Sequence, residues 1–123
     1  MIGYVTLGTN DMQRAGAFYD ALLAELGASR VMEADGFIAW GSSPQGVALS
    51  VIRPYDGNPA TVGNGVMVAL AAESREAVER VYNKAMALGA SDEGPVGPRG
   101  DTFFAGYFRD PDGNKLNIFY MGE

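Results

Sequence analysis

The run Lys-Leu-Asn-Ile-Phe-Tyr at 115–120 sets one polar residue, Asn117, between two aliphatic ones, Leu116 and Ile118. In a strand, alternation puts Lys115, Asn117 and Phe119 on one face and Leu116, Ile118 and Tyr120 on the other. A carboxamide offers both donors and an acceptor, so it can orient a small organic molecule without carrying charge. The wider inventory narrows the chemistry further. The chain has no histidine and no cysteine. Ser-His and Cys-His nucleophilic mechanisms, thiolate-bound zinc and disulfides are therefore excluded. The commonest transition-metal ligand is missing as well. Acid–base work would fall to Tyr, Lys, Asp or Glu. Tyr4 and Lys115 are candidates, but no pair with evident geometry emerges, and catalytic residues stay unassigned.

Two other motifs invite chemistry and do not carry it. Asp-Pro-Asp-Gly at 110–113 holds two carboxylates. Asp110, Pro111 and Gly113 suit the first, second and fourth places of a type I turn. A calcium loop of the EF-hand kind needs glycine in sixth place and a distant glutamate, and neither is present. Arg-Gly-Asp at 99–101 reads as a chance tripeptide in a loop. No phosphate-binding loop or dinucleotide fingerprint occurs.

The elements that must position these residues come in two similar sets. "IGYVTLG" alternates, with Val5 and Leu7 on one side and Tyr4 and Thr6 on the other. Asn10 or Asp11 can cap the helix that follows. Ala15, Phe18, Tyr19, Leu22, Leu23 and Leu26 form its apolar stripe, and Gly27 ends it. "GVMVALAAES" repeats the scheme, with Val66, Val68 and Leu70 opposite Met67, Ala69 and Ala71. Ser74 caps a second helix, Glu76 suits its positive end, Val78, Val81, Tyr82 and Ala85 form the stripe, and Gly89 closes it. The letters "LGAS" follow both helices, at 26–29 and 88–91. Strand-like runs come after each exit, although "SDEGPVGP" reads equally as loop. The order is βαβββ, linker, βαβββ. Module one spans about 1–54, the Gly-, Pro- and Asn-rich linker about 55–64, and module two about 65–123. Helices with strands after them predict an α+β sheet covered on one side.

Composition bounds the setting. The chain has 123 residues, 47% of them apolar, and a net charge of −6. One domain is expected. An acidic field gives no attraction to phosphate backbones, so nucleic acid is not an expected partner. No run approaches the roughly 20 apolar residues of a membrane span. The opening lacks a basic leader and reads as a strand, so the cytoplasm is the default compartment.

Three stretches together resemble a known family. "GYVTLGTNDMQRAGAFYDALLAELGA", "GVMVALAAESREAVERVYNKAMALGA" and "GYFRDPDGNKLNIFY" are similar to the vicinal oxygen chelate superfamily, the glyoxalase, bleomycin-resistance and extradiol dioxygenase group. The resemblance implies two βαβββ modules forming a cup-shaped mixed sheet with helices on its outer face. Metal-dependent members hold a divalent ion in the cup. The resemblance places Tyr4 where the first strand usually supplies histidine. It places Met67 at the second histidine, Asn117 at the glutamate, and either Leu49 or Ser50 at the remaining position. A neutral phenol, a thioether and a carboxamide are poor substitutes for imidazole and carboxylate. No metal and no other cofactor is expected.

The resemblance then implies a protein that binds a small organic molecule, aromatic or cationic in character. Tyr4, Met67, Asn117, Phe119, Tyr107 and Trp40 are the expected ligand-binding residues, the aromatics supplying stacking surface. The alternatives are a lyase, isomerase or dioxygenase of the same superfamily, or a structural or regulatory partner whose cup is filled. A homodimer is expected, as is common in the family.

Overall fold

A computed structural model describes residues 1–123. The chain divides into two compact units, Met1–Val62 and Gly63–Glu123, each with one helix and four strands.

In the first unit, β1 (Tyr4–Gly8) leads into α1 (Met12–Ala24), followed by β2 (Ser29–Ala34), β3 (Phe37–Gly41) and β4 (Ala48–Ile52). Asp11, not Asn10, caps α1, its carboxylate accepting the Arg14 N–H at 3.0 Å. Asn10 instead fastens the following segment. Its carboxamide accepts the Ala60 N–H at 2.6 Å and donates to the Ala60 carbonyl at 3.2 Å. Residues 55–62, read from sequence as linker, are thereby tied to this unit. Helix α1 buries Ala15, Phe18, Tyr19, Leu22 and Leu23, each large side chain contributing about 1.5–3 kcal/mol. Gly27 takes φ +77°, the left-handed conformation that ends a helix cheaply only at glycine.

The sheet order is β1-β4-β3-β2, with β1 parallel to β4 and the other pairs antiparallel. Register fixes the faces. Val5, Leu7, Leu49, Val51, Ile38 and Trp40 align across the strands on the side packed against α1. Tyr4, Thr6, Ala48, Ser50, Phe37 and Ala39 fall on the opposite, helix-free side.

The second unit repeats the plan with β5 (Val68–Ala71), α2 (Arg75–Ala87), β6 (Ser91–Pro98), β7 (Phe103–Arg109) and β8 (Lys115–Met121), in sheet order β5-β8-β7-β6. Again the first and last strands pair in parallel. Ser74 caps α2, its hydroxyl accepting the Ala77 N–H at 3.1 Å, and Ala77, Val78, Val81 and Ala85 are buried. Strand β5 is shorter than its pattern implied. Val66 donates its N–H to the Gly63 carbonyl in a turn and is exposed, so pairing begins at Val68.

Strand β6 is the other departure, since its polar, Gly- and Pro-rich sequence also suited a loop. It pairs with β7 along the sheet edge, bulged between Asp92 and Gly94 and again before Gly97. An edge strand can carry Pro95 and Pro98 because one side of it needs no ladder donors. Tyr82 of α2 clamps it, donating to Asp92 at 2.6 Å. Burial, then this bond to a carboxylate, push the Tyr82 phenol up to about 12. Each unit is thus a βαβββ module, and the whole is α+β as the sequence predicts. No helix is long and apolar enough to cross a membrane.

Candidate functional site: the helix-free sheet faces

In module two the helix-free face carries Lys115, Asn117, Phe119 and Met121 from β8 and Phe103, Ala105, Tyr107 and Arg109 from β7, directly paired across the strands. Asn117 lies opposite Tyr107 on one side and Ala69 on the other. It is 1% exposed, and its carbonyl oxygen Oδ1 has no hydrogen-bond partner. Leu116 and Ile118, its neighbours in sequence, are fully buried on the α2 side. Around Asn117 the face is aromatic and basic. Phe119 stacks on Phe103 at 5.4 Å between centroids. The Tyr107 ring lies 5.4 Å from the Arg99 guanidinium and 5.8 Å from the Lys115 amine. Arg109 pairs with Glu93 at 3.2 Å.

In module one the helix-free face is uncharged. A cavity of about 410 Å³ is lined by Tyr4, Met32, Phe37, Ala39, Pro44 and Ala48 among others. The Tyr4 ring meets Phe37 edge-on at 6.3 Å and is largely exposed. Leu49 and Ser50 lie on opposite faces of their sheet. Leu49 pairs with Val5 on the α1 side, whereas Ser50 pairs with Thr6 on the helix-free side. Ser50 is buried, and its hydroxyl donates to the Val5 carbonyl at 2.6 Å.

The residues expected to bind a ligand therefore fall in different places. Asn117, Tyr107 and Phe119 share one face of module two, and Tyr4 lies on the corresponding face of module one. Met67 stands one residue before β5, 40% exposed. Trp40 is on the other side of its sheet. It is 1% exposed, its indole N–H donates to Asp20 at 2.8 Å, and its ring packs on Tyr19. The reason is strand phase: Ile38 and Trp40 point to the helix, so Phe37, not Trp40, supplies aromatic surface on the helix-free side. Asp20 also takes two hydrogen bonds from Arg30, each 2.8 Å. Those bonds hold its carboxyl below the usual carboxylate range, against partial burial that acts the other way.

Phe37, Met32 and the cation pair about Tyr107 were not singled out as ligand contacts in the sequence. In "GFIAWGS" every position is apolar or small, so alternation had no phase to read. Arg99 reaches Tyr107 only through the β6–β7 hairpin.

Neither module's residues fit a divalent ion. Tyr4 and Ser50 of module one offer a phenol and a hydroxyl already donating to backbone, and Met67 and Asn117 of module two offer a thioether and an amide. Nowhere do three or more Asp or Glu side chains gather as ligands, and His and Cys are absent.

Comparison with known proteins agrees with this architecture. The family model for the Glyoxalase/Bleomycin resistance protein/Dioxygenase superfamily matches residues 1–118. A glyoxalase/bleomycin resistance protein from Albidiferax ferrireducens T118 is 35% identical, with a TM-score of 0.89 over 98% of each chain. A glyoxalase/bleomycin resistance protein/dioxygenase family enzyme from Burkholderia phytofirmans PsJN is 16% identical, with a TM-score of 0.77 over 97% of each chain. The lactoylglutathione lyase of Agrobacterium tumefaciens is 21% identical, with a TM-score of 0.70 over 98% of this chain and 92% of its own, a likeness of fold alone. No curated protein matches the chain. Paired βαβββ modules, a match along nearly the whole length and a 35%-identical relative together place the chain in the glyoxalase/bleomycin resistance protein/dioxygenase superfamily.

Proposed function

We propose that this protein binds a small, partly aromatic organic molecule on the helix-free sheet face of module two, without the metal ion used by catalytic members of its superfamily. One observation carries the reading: the buried, unpartnered Oδ1 of Asn117, set among Tyr107, Phe119 and Lys115. A buried acceptor left unmade costs about 1–3 kcal/mol, and a face that needed only to pack would place an aliphatic residue there. Module one, taken by itself, has an apolar cavity beside Tyr4 and Phe37 with the make-up of a small-molecule site, mostly apolar with a few polar groups.

A metal-dependent lyase or dioxygenase would need carboxylate or imidazole donors that these positions lack. Between the two names borne by the 35%-identical relative, bleomycin resistance is the closer to a site that binds without a metal. A purely structural partner would leave the Asn117 acceptor without purpose.

Native mass spectrometry and elemental analysis of freshly purified protein test the proposal. The expected result is a homodimer free of stoichiometric nickel, zinc, iron or manganese and able to retain a small organic molecule. A stoichiometric metal whose removal abolishes an activity would overturn the metal-free reading.

A further inference from the structure

We propose that the ligand presents an anionic group to Lys115 and a hydrogen-bond donor to Asn117, as an aromatic 2-hydroxy carboxylate does. This rests on the small-molecule reading above and specifies the ligand's charge. The whole chain is acidic, at −6, which on its own favours a cationic ligand. The local inventory runs the other way. On the helix-free face of module two, Arg109 is matched by Glu93 at 3.2 Å. Arg99 is turned to the Gly97 and Pro95 carbonyls, at 2.9 and 2.7 Å, and stands over Tyr107. Lys115 has the Tyr107 ring beside it and no carboxylate in ion-pair contact. No unmatched carboxylate thus stands on the helix-free face of β7 and β8 to receive a cation, while an ammonium does await an anion.

Asn117 supplies the second half of the match. It follows Lys115 by two residues on one strand face, so the two side chains are neighbours. The orphaned atom is an acceptor, and it calls for an O–H or N–H on the ligand. A carboxylate toward Lys115 with an adjacent hydroxyl toward Asn117 satisfies both, and the Tyr107 and Phe119 rings suit an aromatic substituent. Asn117 is 1% exposed in the unliganded chain, so a neighbouring side chain must move to admit the ligand.

The test is an NMR titration with three probes of one shape, read at the Asn117 side-chain amide: mandelate, its neutral methyl ester, and cationic 2-amino-1-phenylethanol. Mandelate is expected to bind at least about ten-fold more tightly than either other probe, the usual worth of one charge-assisted hydrogen bond. That preference should vanish in Lys115→Met and survive in Lys115→Arg, with folding of each variant checked by circular dichroism. If the ester or the amine binds as well as mandelate, the anionic assignment falls and the small-molecule reading stands. If none of the three shifts the Asn117 amide, both fall.

Discussion

Replacing Asn117 by leucine should make the ligand-free protein more stable while removing its ability to bind. The buried Oδ1 lacks a partner, and such a desolvated acceptor costs about 1–3 kcal/mol in the folded state. Leucine removes that cost. It is the larger side chain, but Asn117 is flanked across the strands by Ala69 directly and Ala105 diagonally, both small. Residual overpacking offsets about 1 kcal/mol of the gain. A net stabilisation of about 1 kcal/mol is expected, raising Tm by about 3–6 °C for a chain of this length. Urea denaturation of both proteins, without added ligand and monitored by circular dichroism, measures it. A destabilisation beyond about 1 kcal/mol would show that the amide makes essential internal bonds, and would refute the argument that it is held for a ligand.

Two further outcomes follow from the contacts behind each sheet. Asp20→Asn should cost stability near neutral pH and little in acid. The folded pKa of Asp20 lies below its unfolded value of 3.8, so its contribution is complete above about pH 5 and is lost as pH falls through the lowered folded value. A pH series of denaturation curves should show the two proteins converging at low pH, and a gap that widens there would contradict the assignment. Gly106→Ala should destabilise by about 1–3 kcal/mol, because an added Cβ would sit 2.8 Å from the Tyr82 ring and 2.9 Å from Val96. Tyr82 is tied to Asp92 and cannot simply swing aside. A stability loss under about 0.5 kcal/mol in denaturant titration would mean that α2 slides freely over β7.

The modules were legible in sequence because their signals are redundant. Val78, Val81 and Ala85 announce a helix face, Ser74 its start and Gly89 its stop, and all three signals agree. Asn117 was legible for the same kind of reason, since a polar residue between Leu116 and Ile118 fixes the strand's phase. Trp40 was not. Phe-Ile-Ala-Trp gives no polar mark, and what settles its direction is Asp20, twenty residues away on a helix. Strand β6 was obscured by Gly and Pro, which the sheet edge accommodates through bulges that no local pattern encodes. The positive character around Tyr107 was hidden as well. Arg99, Arg109 and Lys115 are scattered in sequence within an acidic chain and meet only through β-pairing.

The parallel joining of first strand to last has a consequence for how the protein is made. Module one closes when β4 meets β1, pairing Tyr4 with Ala48 and Gly8 with Ile52. It can therefore complete its sheet while the second half is still being synthesised. Module two cannot do likewise, because the partner of β5 is β8, with Val68 waiting for Leu116. Until β8 is synthesised, β5 has no neighbour in its sheet and the α2 stripe lacks Leu116 and Ile118 to pack against. The strand that carries Asn117 is thus also the strand that lets the second module form.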